Sequence, residues 1–174
     1  MKKKVFQLLV ENTSGVLSRI SGLFARRGYN IESITAGVTA DPRVTRITIV
    51  ATGDDEILEQ IEKQLDKLVD VCNIIELKPD ESVYRELALI KIECNPEERL
   101  NVIAITDTDA FQANVVDVSK NGLIIEMTAT TAKIDSFIEL ISSYKILEIA
   151  RTGIAGLRRG TDDIFWPDFD SLGM

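Results

Sequence analysis

Residues 12–17, Asn-Thr-Ser-Gly-Val-Leu, have the types and order best suited to holding a ligand. They stand where a run rich in Val, Phe and Leu gives way to a helical pattern. The N–H groups that open a helix lack intrahelical acceptors and lie at the positive end of its dipole, so they favour a carboxylate or phosphate. Gly15 lets a ligand approach that backbone closely. The Asn12 amide offers a donor and an acceptor, enough for the two ends of a free amino acid. A plain structural use suits the same residues equally: Thr13 or Ser14 caps the helix and Gly15 relieves crowding. A second landmark is residues 26–33, Arg-Arg-Gly-Tyr-Asn-Ile-Glu-Ser. It reads either as a charged helix end with a capping glycine, or as a site in which Asn30 faces Asn12 across the sheet edge or a dimer seam.

Other chemistry is excluded or weak. The chain has no histidine, so a His-based triad, a His zinc site and an imidazole base are all impossible. Asp107 and Asp109 are spaced as a carboxylate pair, but nothing basic or metal-binding surrounds them in sequence. Cys72 and Cys94 fall in strand-like runs and read as small core residues; two cysteines are too few for a disulfide framework. No metal site and no catalytic residue is expected. A net charge of −8 argues against nucleic acid, which needs a basic face. No apolar run approaches the ~18 residues of a membrane span. Lys2, Lys3 and Lys4 are followed by Gln7, Glu11 and Asn12 instead of a signal-peptide core, so a cytoplasmic location is expected. Arg151, Arg158 and Arg159 form either a solvated basic end or a docking surface.

The elements that must position these residues come in a clear order. Residues 4–10 predict a strand, and Val16, Leu17, Ile20, Leu23 and Phe24 fall at helical spacing. Gly28 suits a left-handed C-terminal cap. Residues 31–39 and 44–52 predict strands joined by Asp41-Pro42-Arg43, a turn signal. Gly53-Asp54-Asp55 opens a second helix whose acidic first turn complements the dipole, with Ile57, Leu58, Ile61, Leu65 and Leu68 facing the core. A strand over 71–77 completes β-α-β-β-α-β.

After a linker at 79–83 the order recurs. A strand over 86–94 leads into Asn95-Pro96, an N-cap with proline at the first helical position. Strands over 112–118 and 123–128 flank Asn121-Gly122, a hairpin signal. Ile134, Phe137, Ile138 and Ile141 make a helical stripe, and a strand over 146–152 closes the unit. The weak segment is 99–109, where Leu100, Val102, Ile103 and Ile105 hold no single face. The fold class is therefore α+β, two ferredoxin-like βαββαβ domains in tandem over 1–78 and 84–160, with an acidic, aromatic tail over 161–174. Charge separates the halves too, at −1 for residues 1–80 and −7 for the rest. A four-stranded sheet with helices on one face leaves the other needing cover, so pairing with a second copy is expected.

Residues 12–20, 22–24 and 26–33 closely resemble the regulatory (small) subunit of acetohydroxyacid synthase, also called acetolactate synthase. The ACT domain begins this way generally, while Arg-Gly-Tyr-Asn-Ile-Glu-Ser is far narrower. The likeness continues through 58–65 and 67–71 and returns in Arg151-Thr152-Gly153 and residues 156–160, covering roughly 4–160. The resemblance implies an amino-terminal ACT domain that dimerises and a carboxyl-terminal ferredoxin-like domain. It also implies a catalytic large subunit as partner, which carries thiamine diphosphate, Mg2+ and FAD, while this chain carries no cofactor. That partner condenses pyruvate with pyruvate or 2-oxobutyrate, and the small subunit raises its activity and confers feedback inhibition by valine. By position, Asn12, Gly15, Val16 and Asn30 match the family's effector segments, with Leu17 and Ile34 as candidates for an apolar wall.

Two departures stand out. Residues 101–107 are apolar where relatives commonly have a polar, basic helix, so a shortened or repacked helix is expected. The tail holds four aspartates with Phe165, Trp166 and Phe169, and reads as a frayed end or as an anchor on a partner. Two rival readings remain: a free-standing tandem-ACT amino-acid sensor, and an acylphosphatase-like hydrolase on the same scaffold. The hydrolase would need an arginine in the first loop, and residues 12–15 contain none.

Overall fold

The computed structural model describes residues 1–161; the expected tail lies outside these apart from Thr161. The described residues form two compact units, Met1–Val83 with 156–161, and Tyr84–Ala155.

In the first unit, β1 (Lys2–Glu11), α1 (Val16–Arg27), β2 (Asn30–Val38), β3 (Val44–Gly53), α2 (Asp55–Leu65) and β4 (Val71–Leu77) follow the expected order. The sheet order is β2-β3-β1-β4, and every pair is antiparallel. Alternate residues of β1 and β3 point to the helix side, where Phe6, Leu8, Val10, Ile47, Ile49 and Ala51 meet the apolar stripes of the helices. Those stripes are Val16, Ile20, Leu23 and Phe24 of α1, and Leu58, Ile61 and Leu65 of α2. Each large side chain removed from water this way contributes about 1.5–3 kcal/mol. Two residues expected inside lie outside: Leu17 is 49% exposed and Ile57 38%. The 3.6-residue period assigns a face but not its edge, and both side chains fall on the stripe's margin.

Helix ends follow their chemistry. Gly28 takes φ +67° and its N–H donates to the Ala25 and Phe24 carbonyls, so α1 ends as expected. The Asp54 carboxylate accepts from Ile57 N–H at 2.8 Å and opens α2. The start of α1 departs from expectation. Neither Thr13 nor Ser14 caps it; Gly15 is the N-cap, at φ +87°, and supplies no side chain.

The second unit repeats the topology with β5 (Ser82–Glu93), α3 (Pro96–Thr106), β6 (Asn114–Ser119), β7 (Gly122–Ala129), α4 (Thr131–Leu140) and β8 (Lys145–Arg151). Its order is β6-β7-β5-β8; off that path, β9 (Ala155–Arg158), which straddles the boundary between the two units as β5 does, pairs β5. Nothing in the residue order marked β9. The weak segment is a regular helix, α3, with only Val102 and Thr106 fully buried and Leu100 74% exposed. The β6–β7 turn sits one residue earlier than expected, at Lys120-Asn121, since Ser119 pairs Gly122. Gly122 has ordinary φ, and what requires glycine there is crowding. A Cβ on it would lie 2.8 Å from the Ile92 carbonyl oxygen. Cys94 is buried as expected, and Cys72 packs beside Leu9 and Val44, where burial raises its thiol pKa.

Candidate functional site

The loop between β1 and α1 makes few bonds to itself and is held from two sides. On one side Asn12 reaches the β2–β3 turn. Its N–H donates to the Arg43 carbonyl at 2.7 Å, and its Nδ2 to the Pro42 carbonyl at 2.7 Å. Its Oδ1 accepts from the Thr45 hydroxyl at 3.1 Å. These bonds leave one amide hydrogen and part of the Oδ1 acceptor capacity of Asn12 for a ligand. The turn is itself rigidified by Asp41, which accepts from Arg43 N–H at 2.9 Å and whose carboxyl is held below its usual range by the Arg43 guanidinium.

On the other side Asp70, just before β4, accepts Glu11 N–H on its carbonyl at 3.0 Å. Its carboxylate takes a fork from Arg19, Nε to Oδ2 at 2.5 Å and Nη2 to Oδ1 at 2.6 Å. That guanidinium holds the Asp70 carboxyl below the usual carboxylate range.

Between these anchors lies a groove of about 250 Å³ lined by residues 10–17 with Thr45 and Ile47. Its chemistry is divided. Val10, Val16, Leu17 and Ile47 give an apolar wall, the first turn of α1 contributes amides with no side-chain cap and no acid within that turn, and Glu11 lines the groove from the β1 side. Such an end attracts an anion. A small zwitterion with an apolar side chain matches all of these surfaces.

Of the six residues singled out from sequence, Asn12, Gly15, Val16 and Leu17 meet at this groove. Asn30 does not. It opens β2 level with Thr52, whereas Asn12 follows Glu11, which pairs Val44. The two levels are eight residues apart along β3, about 27 Å at strand spacing. Within one chain Asn12 and Asn30 therefore do not face each other across the sheet edge. Asn30 instead lines a cavity of about 510 Å³ with Tyr29, Thr52, Asp54, Asp55 and Lys2. Ile34 borders neither hollow; it lies level with Ile49 on the edge strand, 38% exposed.

Sequence reasoning missed Thr45 and Ile47, which reach the groove through the β1–β3 register, and the Arg19–Asp70 pair. Arg19 stands one helical turn after Gly15, a visible spacing; Asp70 is 51 positions away, and nothing in the residue order tied it to Arg19. Arg151 also differs from the expected solvated end. It forks onto the buried Glu86 at 2.9 and 2.8 Å and reaches Asp135 at 2.7 Å, because a buried carboxylate needs a cation. Among the described residues no helix is long and apolar enough to cross a membrane.

Sheet order, helix placement and the open first turn define a tandem ferredoxin-like protein whose first unit is an ACT domain. The family model of the AHAS small subunit-like ACT domain matches residues 6–73, and that of the small subunit of acetolactate synthase matches 85–160. The chain is 45% identical over 157 residues to a probable acetolactate synthase small subunit of Methanothermobacter thermautotrophicus, spanning 90% of this chain and 93% of that one. It is 43% identical over 159 residues to the acetolactate synthase isozyme 3 small subunit of Escherichia coli, at 91% and 96% coverage. The crystal structure of the small subunit from Thermotoga maritima superposes with a TM-score of 0.83 at 39% identity, over 92% of this chain and 99% of that one. The chain belongs to the acetolactate synthase small subunit family.

Proposed function

We propose that this chain is the non-catalytic regulatory subunit of an acetolactate synthase, raising the activity of a catalytic large subunit and conferring feedback inhibition by valine. The observation that carries the effector role is the α1 N-terminus, left open by Gly15 beside an apolar wall. Valine's carboxylate suits the free amides, its ammonium the Asn12 carbonyl oxygen, and its isopropyl group Val16 and Leu17. Thiamine diphosphate, Mg2+ and FAD belong in this reading to the large subunit.

The site is completed by a second copy. Among the described residues β2, nine residues long, stands at the edge of the sheet order next to β3, and an edge strand is a template to which another strand can add. Antiparallel pairing of two such strands about Ile34 brings Asn30 of one copy to the Val38 end of the other, next to the turn that holds Asn12. A ligand shared by two chains couples occupancy to interface geometry, and about 1–3 kcal/mol of coupling is enough for regulation.

The test is acetolactate formation by the cognate large subunit, with and without this chain, across a valine titration. Activation that valine reverses is expected. Activation indifferent to valine discards the ligand, and no activation by the folded chain turns the reading toward a free-standing amino-acid sensor.

A further inference from the structure

The carboxylate of Asp70 lies almost out of solvent, yet it sits in a loop rather than in the core, and its partner Arg19 is half exposed. The pair does more than join two surfaces. Asp70 holds both ends of the β1–α1 loop, taking Glu11 N–H on its carbonyl and the α1 side chain of Arg19 on its carboxylate. Arg19 in turn closes the first helical bond, its N–H donating to the Gly15 carbonyl at 2.9 Å. Its Nη1, left out of the fork, lies 2.9 Å from where a Cβ on Gly15 would be. The guanidinium thus occupies the space a side chain at 15 would fill, and backs the left-handed Gly15 from outside the groove. Arg19 is not among the groove's lining residues, so it acts on a ligand only through the loop.

We propose that Arg19 and Asp70 are a positioning pair that sets the α1 N-terminal amides for the carboxylate of an amino-acid effector. The inference rests on the effector site proposed above. Asn12 ties the start of the loop to the β2–β3 turn, and the Arg19–Asp70 pair fixes its α1 end, so the pair decides whether the amides there present a fixed anion seat or a floppy one. A preset seat spares the ligand the entropy of ordering the loop, which is where a positioning pair gains affinity. Both charges are needed for the geometry: Arg presents a planar fork that Lys cannot reproduce.

The experiment measures valine binding to the full-length chain by calorimetry for wild type, Arg19→Lys, Asp70→Asn and the exchanged pair Arg19→Asp with Asp70→Arg. Thermal unfolding and hydrogen exchange over residues 12–18 are followed in parallel. Expected is a loss of valine affinity of about tenfold or more in each single variant, the effect of a hydrogen bond to a charged group. Faster exchange at the α1 first turn should accompany it, with Tm within about 3 °C of wild type. Affinity regained in the exchanged pair adds support. Wild-type affinity in both single variants overturns the proposal, as does a loss of affinity that merely tracks a falling Tm. If the exchanged pair does not fold, the two conservative variants decide alone. Failure of the underlying reading looks different: the unmutated chain itself then binds no valine.

Discussion

At the end of β1 the chain enters α1 through Gly15, which has no side chain to offer, and no acid stands in the first turn. At the matching point of the second unit it enters α3 through Asn95, whose Oδ1 accepts from both Glu97 and Glu98 N–H at 2.9 Å. Glu98 reaches back to Asn95 N–H at 2.9 Å, a complete capping box with proline at the first helical position. Arg99 then clasps the β6–β7 hairpin, donating to the Ser119 carbonyl at 2.7 Å and the Lys120 carbonyl at 3.0 Å. One topology thus holds two opposite helix starts. The second satisfies its own amides and repels an anion with two carboxylates, while the first keeps its amides available beside an apolar wall. Sheet order does not assign the ligand; the chemistry at the turn does.

Three substitutions test that contrast. The largest effect is expected from Arg151→Met, which strands Glu86, only 6% exposed, without its cation. Loss of one member of a buried pair costs about 3–5 kcal/mol, read as a lower urea midpoint. Valine affinity of the molecules that remain folded should not change, because this cluster is internal to the second unit. An equal loss of affinity would show that the two units do not divide the labour as their helix starts suggest.

Next comes Gly15→Ala. Its φ of +87° is unfavourable for alanine, and the new Cβ meets Arg19 Nη1 at 2.9 Å. The strain costs about 1–2 kcal/mol of stability, and valine affinity measured by calorimetry should fall by about tenfold or more as the amides reorient. Unchanged affinity would close the first turn as a ligand seat.

The smallest effect is that of Asn95→Ala, which opens the second unit's helix start by removing its cap. About 1 kcal/mol of stability should be lost, or about 2–4 °C in Tm, with valine inhibition untouched. A new anion affinity in this variant would show that an uncapped start suffices by itself. Its absence would show that the apolar wall of the first unit is needed as well.

Much of this was legible in residue order. The stripes of α1, α2 and α4 follow the 3.6-residue period, and Gly28 and Asp54 mark helix ends by mechanisms that act within a few residues. Helix α3 was harder because its apolar residues surround the axis: Val102 and Thr106 face inward while Leu100 faces out. Its existence is secured locally by the Asn95–Glu98 box, a stronger signal than its periodicity. The Asn121-Gly122 pair read as the hairpin turn, whereas the turn falls one residue earlier and the glycine is required by the Ile92 carbonyl oxygen of β5, 2.8 Å from its missing Cβ.

The sequence by itself determined the two-unit βαββαβ pattern, the Gly15 and Asn12 landmarks and the family resemblance, because each depends on neighbours within about a turn or a strand. Tertiary structure alone decided that Gly15 and not Thr13 or Ser14 opens α1, that Arg19 forks onto Asp70, and that Arg151 is spent on Glu86. It also decided that Asn12 and Asn30 stand at opposite ends of one sheet. Strand register and long-range ion pairs join residues dozens of positions apart, and their geometry comes into being only when the sheet and its helices pack.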